Sequence, residues 1–546
     1  MNTAFINAKV YIERGRFEQA LLVKDGIIEA AGTDADIVSL AATAVPSETR
    51  IIDCRGSTII PGLNDSHMHL LMVGAGLYQA DITGVSSIDE MIDRVRRFMQ
   101  KYPERCKGGI HSVGWNQDLF TGDKRIPTRH DLDRISTAVP VVLERICGHV
   151  VTANTKAIEL LGLGIGSSQF EGGTFELEED GYPSGVFTEG ACGRILSVIP
   201  EYTMEQSEAM FMQAMDYAVS RGITSVQSND AGTTAPASLV LPMVNGIFAQ
   251  GKAKLKYHHQ VCFNDADSFR RYIETEYKEY RQNGSVHPWL TYGPLKLFKD
   301  GSLGGRTAMM SAGYLDDKGN YGVEAMSGGV MLELVRLADE NGIQSVTHVI
   351  GDKAIEETLK CYEAVLHDGK DKNPLRHGLV HCQITDMPLL ERIVRDDVIV
   401  MYQPIFLDYD MHAVIPRCGE ELSSTSYAFG TMARLGAHVS YGTDSPVEDC
   451  DPFANIYAAV TRKDRHGYPE GGFFPNERVD IYTAIDAYTS GSAYAQFMES
   501  SKGRLKAGYA ADLVMLDKDI FTIDPMEIPS VRPVLTMVGG RIVYEG

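Results

Sequence analysis

Two histidines separated by one residue close an apolar run in PGLNDSHMHL, where His67 and His69 follow Pro61-Gly62. On a strand, residues two apart face the same side. Two imidazoles on one side of a strand end can hold a single divalent ion, although an H-x-H pair by itself equally suits two structural histidines. Later segments repeat the arrangement. Lys296 and Asp300 lie in GPLKLFKDGSLGGRTA, His348 ends QSVTHVIGD, His381 ends HGLVHCQ, and Asp444 ends HVSYGTDSP. Each sits where an apolar run gives way to Gly, Pro or polar residues. In a parallel barrel such strand ends meet on one face. The four histidines, Lys296 and Asp444 are therefore expected around one volume. Bulk water is a poor nucleophile at neutral pH, but a divalent ion lowers the pKa of bound water toward ~7 and polarises a carbonyl.

The elements that must position these residues come next. The middle of the chain alternates short β-branched runs with helical stretches, the pattern of parallel βαβ units. Candidate strands are STIIPGLNDSH, GGIHSVGW, PVVLERI, GITSVQS, LKYHHQV, GPLKLFKD, QSVTHVI, GLVHCQ, VIVMYQP and HVSYGTD. A closed barrel takes eight, so two are surplus. GGIHSVGW and PVVLERI fall, with the hairpin-like FEGGTFELEEDGYPSGV, in the stretch from about 85 to 200. That stretch is read as an insertion on the loop after the first strand, a position on the catalytic face where insertions shape a substrate pocket. The expected fold is α/β: a (β/α)8 TIM barrel over residues 59–499. The chain ends resemble each other, with Asp25-Gly26 and Gly539-Gly540 each set as a hairpin turn between β-type runs. A free hairpin is marginal in water, so residues 1–58 and 500–546 are expected to pair into one small β-sandwich domain.

The 546 residues carry a formal charge of −22, from 73 acidic and 51 basic side chains. That excess favours solubility and argues against nucleic acid or anionic membrane surfaces as partners. A small-molecule substrate is expected instead. Nine cysteines are scattered with no C-x-x-C pair, which points to reduced thiols. The opening MNTAFINAKVYIERG has no basic stretch followed by an apolar one, and no apolar run approaches a membrane span. A cytoplasmic enzyme is expected, with a homodimer as the default assembly.

PGLNDSHMHL, KLFKDGSLGGRTA, THVIGDKAI, LVHCQ and YGTDSPV, in this order, resemble the amidohydrolase superfamily, as does the closing GRLKAGYAADLVMLD. GWNQDLF, the HVVTAN segment and DGSLGGRTA are similar to the subgroup of N-substituted formamide deformylases and YtcJ-like proteins. The resemblance spans essentially the whole chain. It implies that His67 and His69 hold the more buried metal. It implies that Lys296, on the fourth strand, is the carboxylated lysine that bridges two metals, with His348 and His381 on the second. It implies that Asp444 ligates metal and serves as acid/base toward the attacking water. Imidazole and carboxylate ligands suit zinc, one or two ions per chain. An unmodified Lys296 ammonium would oppose those ions, since like charges ~4 Å apart at an effective dielectric of ~20 cost about 4 kcal/mol.

Further residues carry two readings each. His149, in CGHVVTAN, matches a histidine that the resemblance places on the substrate carbonyl or its oxyanion, and it also suits a loop histidine. Trp115 in GWNQDLF suits a pocket wall or a core. Arg306 in GGRTA suits a substrate carboxylate or an ion pair with a nearby acid. Cys382 alternates with His381 and is read as core packing. Lys299 is sent to the outer side by its odd spacing from Lys296. His377 shares the face of His381, lower in the barrel, in a structural role. Of His258-His259 at most one faces inward. The leading functional expectation is hydrolysis of a C–N bond in a small amide, N-formyl compound or cyclic amide. The alternatives are a mononuclear deaminase, which lacks its usual glutamate in THVIGD and LVHCQ, and a non-catalytic binding protein on the same barrel.

Overall fold

The computed structural model describes residues 2–43, 49–369 and 371–546. Eight strands form one parallel sheet: Leu63–Met68, Ile223–Ser228, Lys256–Cys262, Leu290–Phe298, Ser345–Val349, Gly378–His381, Ile399–Tyr402 and Val439–Tyr441, neighbours in that order. Their side chains are buried almost throughout, as strands covered on both faces require. The eighth and first strands meet just beyond their ends. The Asp444 N–H donates to the His67 carbonyl at 2.9 Å, and the His69 N–H donates to the Ser445 carbonyl at 2.8 Å. The barrel therefore closes at the residues that carry the candidate chemistry.

The helices between strands follow from local chemistry. Met387–Arg395 starts at Asp386, whose side chain accepts the Leu389 N–H, and Pro388 occupies the first turn. It buries Leu389, Leu390 and Ile393, while Arg392 and Arg395 pair with Glu363. Removing the cap with Asp386→Ala would cost about 1 kcal/mol.

The terminal segments build two sheets. One runs Ile27–Gly32, Ala20–Lys24, Asn2–Ile6, Thr49–Asp53; the other runs Arg541–Glu545, Pro533–Val538, Leu513–Leu516, Thr58–Pro61, Lys9–Glu13, Arg16–Glu18. Phe5, Leu21, Val23 and Ile28 from the first share a core with Val10, Ile59, Leu513 and Met537 from the second. Asp25 and Gly26 turn one hairpin at φ 50° and 83°, and Gly539 and Gly540 turn the other at φ 51° and 76°.

One expectation needs correcting. The run STIIPGLNDSH is not a single barrel strand. Thr58–Pro61 pairs with Lys9–Glu13 and Leu513–Leu516 in the terminal sheet, and only Leu63–Met68 enters the barrel. The change falls at Gly62, where a Cβ would stand 2.2 Å from Thr224 Oγ1. Only glycine lets the chain cross there.

Residues Leu71–Ala214 form a second compact unit, wider than the expected insertion. It carries a five-stranded sheet in the order Gly173–Leu177, Pro183–Glu189, Val150–Ala153, Val141–Arg145, Ile110–Trp115. The two surplus runs thus pair with each other, beside the expected hairpin. Among the described residues no helix is long and apolar enough to cross a membrane, and all nine cysteines are free.

Candidate metal centre

Three ligand atoms converge at the mouth of the barrel. The Nε2 atoms of His67 and His69 lie 3.4 and 3.3 Å from Asp444 Oδ1. Among the described residues this is the one group of three or more His, Cys, Asp or Glu whose ligand atoms all lie within 4.8 Å of each other. All three residues are buried. The far side of each imidazole faces an acceptor: Gln260 Oε1 is 2.6 Å from His67 Nδ1, and the Asn229 carbonyl is 2.7 Å from His69 Nδ1. Protons on both Nδ1 atoms leave Nε2 lone pairs pointing at a carboxylate oxygen that has no hydrogen-bond partner among the described residues. Converging lone pairs repel unless a cation lies among them, so the donor set fits a divalent ion with N and O preferences.

Electrostatics agrees. Burial, followed by the charge of Lys296, holds His67 well below the ordinary imidazole range, so it stays neutral. Burial also opposes protonation of His69, but the close approach and charge of Asp444 raise it above its ordinary value.

The remaining predicted ligands stand next to these. The His67 ring lies 5.8 Å from the His381 ring, and His381 lies 4.5 Å from His348, centroid to centroid. Burial pushes His348 down to about 3 and holds His381 well below its usual range. His381 Nδ1 is buried with no hydrogen-bond partner among the described residues, while His348 Nε2 donates to the Gly301 carbonyl at 2.9 Å. Backbone strain gathers here: His381, Cys382 and Asp444 all have positive φ, at 73°, 47° and 55°. Lys296 is completely buried. Its Nζ lies 3.6 Å from the Phe298 ring centroid and, among the described residues, donates to the neighbouring Leu297 carbonyl at 3.3 Å. Burial pushes the amine down to about 8, against the opposing charges of Cys262 and Asp444.

The other predicted residues have their own local partners. Arg306 pairs with Asp316 through two contacts, at 3.2 and 2.7 Å, which is the ion-pair reading. Within its own unit, Trp115 is fully buried in a core with Met91, Leu132 and Leu143, and its indole N–H donates to the Leu143 carbonyl. That is the core reading, because an indole with its one donor satisfied inside the core exposes no face. His149 is exposed and pairs with Glu189 at 3.0 Å. Lys299 is buried against Glu324 and Glu357. Cys382 is buried and pushed up to about 12 by that burial.

His377 corrects an expectation of facing. Its ring stacks on Tyr362 and its Nε2 reaches Asp339, both on helices outside the barrel. It precedes the strand that starts at Gly378, so counting twos back from His381 ran past the strand's beginning. His258 hydrogen-bonds Thr291, whereas His259 packs between the Tyr257 and Tyr292 rings.

Gln260 and Asp65 are not among the residues that the sequence pattern pointed to, and Asp300 is. Gln260 holds His67. Asp65 is completely buried and accepts from the His67 N–H and from the backbone and hydroxyl of Thr443. Burial pushes Asp65 up to about 7 against those hydrogen bonds. Asp300 accepts the N–H groups of Met309, Ile350 and Gly351, and so ties the fourth strand's loop to the end of the fifth. The signal for Gln260 was available: His258, Gln260 and Cys262 are polar or ionisable side chains at alternate positions of one strand.

A family model described as amidohydrolase family matches residues 50–544. The amidohydrolase-type protein YtcJ of Bacillus subtilis (strain 168) is 30% identical over 98% of this chain and 97% of its own length. An N-substituted formamide deformylase of Arthrobacter pascens is 24% identical over 99% of this chain and 97% of its own. Among solved structures, a metal-dependent hydrolase of Pyrococcus furiosus superposes with a TM-score of 0.76 at 27% identity, covering 96% of this chain and all of that one.

Proposed function

The chain belongs to the amidohydrolase family, and on that premise we propose that this metal-dependent hydrolase cleaves a C–N bond in a small amide, N-formyl compound or cyclic amide. The observation that carries the reading is the convergence of His67 Nε2, His69 Nε2 and Asp444 Oδ1, whose atoms lie within 4.8 Å of one another, with Asp444 Oδ1 lacking a hydrogen-bond partner among the described residues. These residues would hold a divalent ion, zinc by ligand chemistry. Such an ion supplies Lewis acidity toward a carbonyl and makes water acidic enough to attack near neutral pH.

The chain's own groups do the rest. Asp444 offers a carboxylate oxygen to accept the proton of the attacking water and return it to the leaving nitrogen. Gln260 and the Asn229 carbonyl keep the two imidazoles oriented. Lys296, buried and without a carboxylate partner, is read as a carboxylated lysine that faces His348 and His381. The likeness to the formamide deformylase supports an N-formyl or related amide as the substrate class.

The test is a panel assay of zinc-loaded protein on N-formyl amines, linear amides and cyclic amides, with lactones and aminopurines as contrasts. Release of formate or amine from the C–N set is expected. Turnover confined to lactones would sink the C–N assignment, and ammonia release from aminopurines would identify a deaminase.

A further inference from the structure

The Gln260 amide has only one orientation available to it. Its Nε2 lies 3.0 Å from the Ser66 carbonyl, and a carbonyl can only accept. Turning the amide over would set two oxygens against each other, so Nε2 must be the atom that faces Ser66. Oε1 then faces His67 Nδ1 at 2.6 Å, and an amide oxygen can only accept. His67 must therefore carry its proton on Nδ1, which leaves the Nε2 lone pair for the metal side.

The same strand is tied to the second histidine. Asn229 Nδ2 donates to the Gln260 backbone carbonyl at 2.9 Å, and its own side-chain oxygen accepts from Thr233 Oγ1 at 2.7 Å. The Asn229 backbone carbonyl is the acceptor for His69 Nδ1. His67, Ser66, Gln260, Asn229 and His69 thus form one fully buried network with both proton positions settled. In the opposite pair only His348 is held in this way, by the Gly301 carbonyl; His381 Nδ1 has no hydrogen-bond partner among the described residues.

We propose that Gln260 is a positioning residue that locks His67 in its Nδ1–H tautomer and so sets the affinity of the metal position formed by His67, His69 and Asp444. The proposal rests on the metal-dependent reading above. It assigns Gln260 no contact with substrate. Partners behind metal-bound histidines typically change metal affinity by ~10–100-fold when removed, because an unheld ring must be oriented and its proton placed at the moment of binding.

Two variants isolate the effect. Gln260→Met keeps length and volume but offers no acceptor to His67 Nδ1. Gln260→Glu keeps an acceptor for His67 but loses the donor to Ser66. Zinc affinity is measured by competition with a chromophoric chelator, and the melting temperature of metal-free protein is recorded alongside. Gln260→Met is expected to bind zinc ~10–100-fold more weakly, with Gln260→Glu within about threefold of the parent. Both should lower the metal-free melting temperature, since each loses the Ser66 contact. The inference is overturned if Gln260→Met binds zinc as tightly as the parent, or if both variants lose affinity equally. Should Gln260→Met fail to fold, Gln260→Glu decides alone: a loss of ~10-fold or more overturns the inference. A parent protein that binds no zinc would instead refute the metal-dependent reading, so the two failures are distinguishable.

Discussion

Asp65 and Thr443 join the two edges of the barrel. Thr443 Oγ1 donates to Asp65 Oδ2 at 2.6 Å, and the Thr443 N–H lies 3.2 and 3.1 Å from the two carboxylate oxygens. The same carboxylate accepts the His67 N–H at 3.1 Å. One buried acid therefore fixes how the strand carrying His67 meets the segment carrying Asp444. The geometry of the candidate metal position is thus set in part by Asp65 and Thr443, which lie outside its three ligand atoms.

Thr443→Val tests that relationship, because it keeps the branched shape and removes only the hydroxyl. Losing a hydrogen bond to a buried carboxylate should cost about 1–3 kcal/mol of stability. Zinc affinity should fall as well, since the first and eighth strands can then drift apart at the ligands. Calorimetry and chelator competition read the two effects. A destabilised protein with unchanged zinc affinity would show that the register of the ligands does not depend on this contact.

Metal removal comes next. Purified active protein is expected to contain one to two divalent ions per chain, and chelation should abolish turnover. Replacing both His67 and His69 with Ala should remove the ion bound there. It should also abolish the rise in melting temperature on adding zinc, because ligands that bind only the folded state stabilise it. Elemental analysis of active protein showing no transition metal would end the metal-dependent reading.

For Asp444 the informative change is to Asn, which keeps the shape and removes the proton acceptor. A loss of at least ~10²-fold in kcat is expected, the range of general acid–base catalysis, with a smaller change in KM. Metal content must be checked in the same sample, because Asp444 Oδ1 also faces both histidines. Wild-type turnover in a fully metallated Asp444→Asn would remove the acid/base role.

Much of this arrangement was readable in advance because it depends on local period and on strand ends. His67 and His69 share a face by the two-residue repeat of a strand, and Asp444 follows the last apolar run before a turn. The alternation of His258, Gln260 and Cys262 marks Gln260 as a polar residue on one strand face, but it does not give its role. A polar residue on an inner barrel face looks alike whether it fills space or holds a ligand, and its partner lies 193 positions away. The division of STIIPGLNDSH at Gly62 was hidden for a related reason: two buried strands in series read as one apolar run. The partners of Trp115 and Arg306, the Leu143 carbonyl and Asp316, become visible only in three dimensions.

Lys502 gives a prediction about stability and pH. It is buried, its Nζ donates to Ser225 Oγ at 2.6 Å, and burial, followed by the charge of Lys256, pushes it down to about 7 despite Asp512. An unfolded lysine titrates near ~10.4. Between those values the unfolded chain binds more protons than the folded one, so this group makes stability rise with pH across that window. Below about 7 the amine is charged in both states and its burial penalty is fully present. Lys502→Met should therefore raise the melting temperature at pH 6–7 and flatten the alkaline rise. Identical pH profiles for the two proteins would mean that Lys502 is not held neutral by the fold.

Lys296 decides between one metal and two. Its amine is fully buried, donates among the described residues to a neighbouring carbonyl, and is pushed down to about 8, so a neutral fraction is available near physiological pH. A neutral amine attacks carbon dioxide to form a carbamate with release of one proton, which turns a potential positive charge into a negative one. That sign matters, because an ammonium would oppose a cation at His67, His348 and His381, whereas a carbamate attracts it and presents two oxygens. Protein prepared with 13C-bicarbonate and zinc should show a carbamate carbon resonance that Lys296→Ala lacks. Lys296→Ala should lose metal and activity together, and acetate or propionate should restore part of both by supplying a carboxylate in the vacated space. Lys299→Ala should keep its metal, since Lys299 is committed to Glu324 and Glu357. A fully metallated, active enzyme whose Lys296 amine is unmodified at high resolution would refute the carbamate and leave a one-metal mechanism at His67, His69 and Asp444.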